Sequence, residues 1–319
     1  MVKKVIVASP RGFCAGVVRA IDIVKLALET YPKPVYVRKE IVHNPYVVEE
    51  LRQNGAVFVE DLSEVPEGQT VIFSAHGVAP EVWKEAAARD LKVIDATCPL
   101  VTKVHVEAVR YARRDFTIVL IGHHGHDEVI GTMGEAPAHI RLVSSVEEVD
   151  DLEVHDPAKV AYITQTTLSL EDTREIVQAL RRRYPMIQGP TSEDICYATQ
   201  NRQLAVRELA ALSDVVLVVG AANSSNSNRL VEESLKAGAR SFLINDVTSI
   251  REDWLEGAEV VGVTSGASAP ETLVTQVLDF FVSRGAAVQN LVTREERVQF
   301  ALPADLLTDV DRNSKAQRR

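Results

Sequence analysis

Short apolar runs alternate with amphipathic stretches along the chain, and this alternation sets the fold class. KKVIVA, VYVRKEIV, TVIFSAHG, FTIVLIG, KVAYITQ, DVVLVVG and EVVGVTSG read as buried strands. Apolar positions then recur at helical spacing, with Val17, Ile21, Val24 and Leu28 in one stretch and Val101, Val104, Ala108 and Tyr111 in another. Strands alternating with helices predict α/β units built on small, mainly parallel sheets.

The order of elements repeats three times, at a period of about 90 residues, which marks a triplicated domain rather than a solenoid. Each unit reads as cysteine, helix, strand, polar loop, helix, two strands, polar loop, helix and closing strand. The units are residues 14–97, 98–195 and 196–290. The closing strand of each of the first two feeds the next cysteine. By that rule KKVIVA, within residues 1–13, completes the third unit and closes a three-domain ring. In the second unit, only a short glycine-containing stretch is expected between GHHGHDE and strand IRLV, and SSVEEVDDLEVHDPA reads as a solvated acidic segment. Residues 291–319 form a tail without a motif, and its end, DRNSKAQRR, reads as disordered.

At 319 residues and 46% hydrophobic content, the chain can bury two or three cores. No apolar run approaches the ~20 residues that span a bilayer. MVKKVIVASP lacks a cleavage site, so a cytoplasmic protein with no membrane partner is expected. A net charge of −10 argues against general nucleic-acid binding. It leaves room for an anionic ligand, because local dipoles can oppose the global field.

Cys14, Cys98 and Cys196 are the only cysteines. An odd count without CxxC argues against a disulfide framework, and the wide separations argue against a zinc-finger module. Taken singly, each is explained as an ordinary buried thiol. Their recurrence at one point of a triplicated unit predicts that three thiolates converge on one metal centre. A cubane iron–sulfur cluster normally takes four cysteines, so three leave one iron open to a substrate oxygen. A Cys₃ zinc site completed by a histidine or water fits the count as well.

Ligands of parallel α/β sheets bind at the carboxyl ends of strands. The polar residues there are His43 and Asn44, Ser74 and His76, His126 and Glu128, Thr166 and Thr167, Ser224, Ser225 and Asn226, and Ser268. None of these clusters contains Lys or Arg. Hydroxyls, amides, imidazoles and helix N-termini suit a small phosphorylated or diphosphate ligand. Each cluster also has a plain reading: Asn226 and Ser227 as helix caps, Thr166 and Thr167 as turn residues, His43 in a surface turn. Recurrence at equivalent places of the repeat favours the ligand.

GFCAGV, VHN, FSAHG, DATCPLVTKVH, GHHGHDEV, TQTTLS, DICYATQNRQ, VVGAANSSNSNRL and TSGASAP run in order from about residue 9 to residue 275. This set resembles the motifs of the 4-hydroxy-3-methylbut-2-enyl diphosphate reductase family, which performs the last step of the methylerythritol phosphate route to isoprenoids. The resemblance implies three α/β domains in pseudo-threefold arrangement around a central 4Fe–4S cluster held by Cys14, Cys98 and Cys196. It implies an allylic diphosphate substrate bound by His43, His76, Ser224, Asn226 and Ser268, helped by Ser225 and His126. Glu128 would supply the proton and Thr166 relay it, so that Glu128, Thr166 and His126 form the catalytic set. His124 occupies a variable position of its motif. No GxGxxG element is present, so electrons come from an external carrier such as ferredoxin or flavodoxin. The protein is expected to act as a monomer or homodimer. A non-redox iron–sulfur dehydratase is the nearest alternative, and a Cys₃ sensor or structural metal protein the next.

Overall fold

A computed structural model describes residues 2–317. The first stretch contains β1 (Lys4–Ser9), α1 (Ala15–Thr30), β2 (Val35–Arg38), α2 (Pro45–Gln53), β3 (Ala56–Val59), β4 (Thr70–Phe73), α3 (Pro80–Ala88) and β5 (Lys92–Asp95). Then come α4 (Pro99–Ala112), β6 (Thr117–Ile121), α5 (Asp127–Glu135), β7 (Ile140–Val143), α6 (Glu147–Asp150), β8 (Val160–Thr164) and α7 (Leu170–Arg183). The last third holds α8 (Tyr197–Ala211), β9 (Val215–Val219), α9 (Ser225–Lys236), β10 (Arg240–Ile244), β11 (Val260–Ser265), α10 (Glu271–Val282), β12 (Ala287–Val292) and α11 (Ala304–Gln317).

The strands form three separate parallel sheets, ordered β3-β2-β4-β5, β7-β6-β8 and β10-β9-β11-β1-β12. In each, the first strand of the unit lies between the second and third, so one winding is used three times. β1 sits beside β11, in the sheet of the third unit. The central strands are covered on both faces, which is why they are apolar throughout rather than alternating with polar residues, whereas the edge strand β12 is largely exposed. In β6, Val119 and Ile121 enter one core and Ile118 and Leu120 another. In β9, Val215, Leu217 and Val219 face one side and Val216 and Val218 the other.

Three expectations change. The segment after GHHGHDE is a nine-residue helix, α5, despite Gly131 and Gly134. Those glycines lower helix propensity, but a β-carbon at Gly134 would lie 2.2 Å from Ala79 Cβ, and one at Gly131 3.2 Å from the Gly77 carbonyl. Close packing of α5 therefore outweighs the local cost. The closing strand of the second unit shrinks to one bridge, Ala161 to Gln188. Gly189 and Pro190 end it, since proline offers no N–H to a ladder.

The tail is the third difference: it forms a helix up to Gln317, and only Arg318 and Arg319 of its basic end lie outside the described residues. Leu306 is 2% exposed in the core beneath α1. Asp309 binds Lys92 and the Tyr31 hydroxyl, while Asn313 donates to the Thr30 carbonyl. Upstream of the helix, Glu296 pairs at 3.0 Å with Arg202, which is fully buried and also donates to the carbonyls of Gly12 and Ala198. The tail is polar in composition, yet these partners order it. No helix among the described residues is long and apolar enough to cross a membrane.

Candidate active site

Cys14, Cys98 and Cys196 are the N-cap residues of α1, α4 and α8. Pro99 opens α4, at the position where a missing N–H costs nothing. All three cysteines line one cavity of about 110 Å³. Burial, assisted by the charge of neighbouring thiolates, pushes the Cys98 and Cys196 thiols up to about 12 and about 11. Deprotonation therefore needs bound cations, as metal-ligating thiolates do.

A β-carbon at Gly16 would stand 2.8 Å from the Cys98 Sγ and 3.8 Å from the Cys14 Sγ, so this glycine keeps the space beside two sulfurs open. Among the described residues, only His43, His76 and Asp127 bring three ligand atoms within 4.8 Å of one another. The three sulfurs are thus not all within 4.8 Å of one another, a wider spread than the about 4 Å at which one tetrahedral zinc with ~2.3 Å bonds would hold them. A multi-iron cluster, taking one thiolate on each of three corners, fits this donor set.

Glu128 lies in the first turn of α5 and is 3% exposed. Its Oε1 accepts the Thr166 N–H at 2.7 Å and its Oε2 the Thr166 hydroxyl at 2.9 Å. The Thr166 carbonyl in turn accepts the Cys196 N–H. Burial raises the Glu128 carboxyl to about 7, against the opposing pull of the two Thr166 hydrogen bonds. A group with that value can hold and release a proton near neutrality.

The remaining polar residues form a lining without Lys or Arg. His43 stacks on His76 at 4.1 Å, and His126 meets both rings edge-on. His126 caps α5: its Nδ1 accepts the Glu128 N–H, so the neutral ring carries its proton on Nε2. Burial lowers His76 well below the usual imidazole range and His126 to about 4, with the neighbouring rings adding to both. An anion would reverse these shifts. Asn44, not His43, makes the turn before α2, its Oδ1 accepting the N–H groups of Tyr46 and Val47, which frees the imidazole to face the cavity. Ser224, rather than Asn226 or Ser227, caps α9. The Asn226 side chain is buried with neither its Nδ2 nor its Oδ1 partnered. Such an amide costs about 1–3 kcal/mol unless a ligand meets it. Ser225 bonds to the Thr167 hydroxyl, and Ser268 donates to the His43 carbonyl.

The three cysteines and the nine residues expected to bind substrate or act in catalysis all border this one cavity, as does Thr167, whereas Asn44 and Ser74 do not. Others were missed. Thr199 places its hydroxyl 3.2 Å from the Cys196 Sγ and donates its N–H to that sulfur; the Cys-x-x-Thr spacing of a capped first turn was the available signal. Glu40 holds the His43 Nδ1 at 3.0 Å and receives the Asn223 amide, a contact between distant units that no local pattern announces. His123 and His124 lie off the cavity, and His124 faces Glu148 at the surface.

A model of the family described as LytB protein matches residues 5–282. The chain is 60% identical over 304 residues to the 4-hydroxy-3-methylbut-2-enyl diphosphate reductase 2 of Bradyrhizobium diazoefficiens, covering 95% of this chain and 99% of that one. It is 56% identical over 310 residues to the 4-hydroxy-3-methylbut-2-enyl diphosphate reductase of Leifsonia xyli subsp. xyli, covering 97% and 92%. The solved structure of the E-1-hydroxy-2-methyl-but-2-enyl-4-diphosphate reductase from Plasmodium falciparum superposes with a TM-score of 0.95 at 38% identity, over 98% of this chain and 100% of that one. The family match begins inside β1, ends on the last residue of α10 and takes in every cavity residue named above, and on that span the chain belongs to the LytB protein family.

Proposed function

We propose that the chain reduces (E)-4-hydroxy-3-methylbut-2-enyl diphosphate to isopentenyl and dimethylallyl diphosphates, the terminal step of the non-mevalonate pathway. One observation carries this reading. A single cavity joins three thiols at helix N-termini, a carboxyl poised at about 7, and an anion cradle of stacked imidazoles with an unsatisfied amide. The domains would be residues 14–97, 98–195, and 196–290 with 1–13, each lending one thiolate, followed by the tail. A 4Fe–4S cluster held by Cys14, Cys98 and Cys196 would supply low-potential electrons and one Lewis-acidic position when bound.

The protein's own residues do the rest. His43, His76, Ser224, Asn226 and Ser268, with Ser225 and His126, hold the diphosphate through imidazole, amide, hydroxyl and α9 N-terminal donors. Asn226 gains the partner it lacks. Glu128 donates the proton that turns the departing hydroxyl into water, and the Thr166 hydroxyl passes it on, since hydroxide alone is a poor leaving group. Burial of the carboxyl keeps that proton available near pH 7. Reducing equivalents arrive from an external carrier such as a ferredoxin or flavodoxin, in the cytoplasm.

The test is anaerobic purification, iron and sulfide counting, and assay of the diphosphate substrate with dithionite-reduced methyl viologen. Formation of both products that depends on the reductant is expected. Turnover without reductant would identify a dehydratase, and loading by a single zinc would remove the cluster.

A further inference from the structure

A groove outside the catalytic cavity runs between α3 and α4, with a volume of about 680 Å³. Its inner end is the turn that carries Cys98: Thr97 precedes that cysteine, and Thr102, one turn later, donates to its carbonyl. Trp83 and Val106 line it and are 42% and 61% exposed. Its outer rim is Arg110 on the last turn of α4, Arg113 at the helix C-cap and Arg114 just after it, all exposed.

These cations are largely uncommitted. The Arg113 side chain has no hydrogen bond or ion pair among the described residues. Arg114 reaches the Gln188 side-chain oxygen at 3.5 Å and lies over the Phe116 ring. Arg110 lies over Tyr111 and stands 3.8 Å from Glu107, which already holds Thr191; neither guanidinium is neutralised by a carboxylate of its own. The groove's own carboxylates are occupied, Asp95 by the N–H and hydroxyl of Thr97 and Glu135 by His105. The basic residues near the other two cysteines differ. Arg11 and Arg297 are paired with Glu271 and Glu295, and Arg202 is buried against Glu296. Arg19 on α1 is held by the Thr97 and Ala301 carbonyls, so on a chain of net charge −10 these three arginines form a positive rim on a groove that ends at the turn before one thiol ligand.

We infer that this groove docks the electron donor, a small acidic one-electron carrier protein, and delivers its electrons at the Cys98 corner of the site. The inference rests on the reductase reading above. Charge of one sign around a concave surface steers an opposite partner, while an exposed Trp beside arginines supplies the residue types that anchor interfaces. Each turnover consumes two electrons, so two reduced carriers dock in turn and each leaves oxidised by one electron. With two protons, the pair replaces the substrate C–O bond by C–H and releases water.

The probe is a plant-type [2Fe–2S] ferredoxin, titrated calorimetrically into the cluster-loaded protein at low salt and used separately as reductant. Binding that weakens with added salt is expected. Arg110→Glu, Arg113→Glu and Arg114→Glu combined should weaken it at least tenfold and raise the KM for ferredoxin similarly, with viologen-driven turnover unchanged. Arg113→Glu alone, which breaks no side-chain hydrogen bond or ion pair among the described residues, should give a smaller loss in the same direction, as should Trp83→Ala. Absent binding, or binding and KM indifferent to the charge reversals, overturns the surface. Failure of viologen-driven turnover in the unmodified protein would overturn the reductase reading alone, and the binding titration still decides the groove.

Discussion

Replacing Glu128 by Gln separates what this side chain does for chemistry from what it costs the fold. The carboxyl titrates at about 7 in the folded protein against an ordinary value near 4.5, and the cause is burial. Between those values the folded protein keeps a proton that the unfolded chain has lost. Folding is therefore most favourable below pH 4.5 and weakens as pH rises through 7. At pH 8 the full penalty is present, about 3 kcal/mol. Glutamine has the same shape and no charge. Its oxygen can still accept the Thr166 N–H, and its amide can donate to the Thr166 hydroxyl once that hydroxyl rotates. Denaturant midpoints, measured on metal-free protein at pH 5 and pH 8, should nearly coincide at pH 5. At pH 8 the variant should be the more stable protein by about 2–3 kcal/mol. Its kcat should fall at least about 100-fold, the usual worth of a positioned general acid. The unmodified enzyme should lose turnover above about pH 7, where Glu128 gives up its proton. A variant that is less stable at pH 8, or that turns over within tenfold of normal, would refute the reasoning.

Cys98→Ser should lose the cluster's visible absorbance and most of its iron while keeping its far-UV circular dichroism; a full four-iron spectrum would contradict a three-thiolate site. Binding of the diphosphate substrate at pH 7 should take up protons, because His76 and His126 are neutral there and a nearby anion raises both. Calorimetry in buffers of different ionisation enthalpy reads that uptake, and a value of zero would count against imidazole contacts to the diphosphate. Gly134→Ala places a β-carbon 2.2 Å from Ala79 Cβ and should destabilise by about 1–3 kcal/mol, the range for overpacking; an unchanged denaturation midpoint would mean that α5 does not pack on the turn before α3.

The repeated winding was legible because the central strands, such as β4, β6 and β9, are apolar on both faces and each unit opens on a cysteine. Strand-end clusters such as GHHGHDE and NSSNSN were legible for the same reason, since the unit fixes where its loops converge. Elements that depend on partners from another unit were not. α5 contains two glycines, and only the turn at Gly77 and Ala79 explains why a helix forms there. The tail after Val292 lacks a motif, yet Arg202, which the sequence places in an unremarkable polar helix, holds Glu296 inside the protein. Glu40 carries no pattern of its own and matters only because folding brings Asn223 and His43 to it.

An acidic chain that binds a diphosphate without lysine or arginine in the cavity needs another source of positive potential. The helices provide it. α1, α4 and α8 start at the three cysteines, while α2, α5 and α9 start at Asn44, His126 and Ser224, beside the imidazoles and Asn226. Each N-terminus carries roughly half a positive charge and free N–H groups. At one wall three such ends face thiols whose deprotonation burial opposes; the dipoles favour the thiolates, and cations bound between the sulfurs neutralise the rest of their charge. At the other wall the same arrangement meets neutral imidazoles and an unpartnered amide, and an anion satisfies those. Because these donors are fixed and buried, salt should screen substrate binding far less than it screens the exposed arginines of α4. On the proposed reading, diphosphate and electron carrier would thus be separated by the kind of positive potential each one meets.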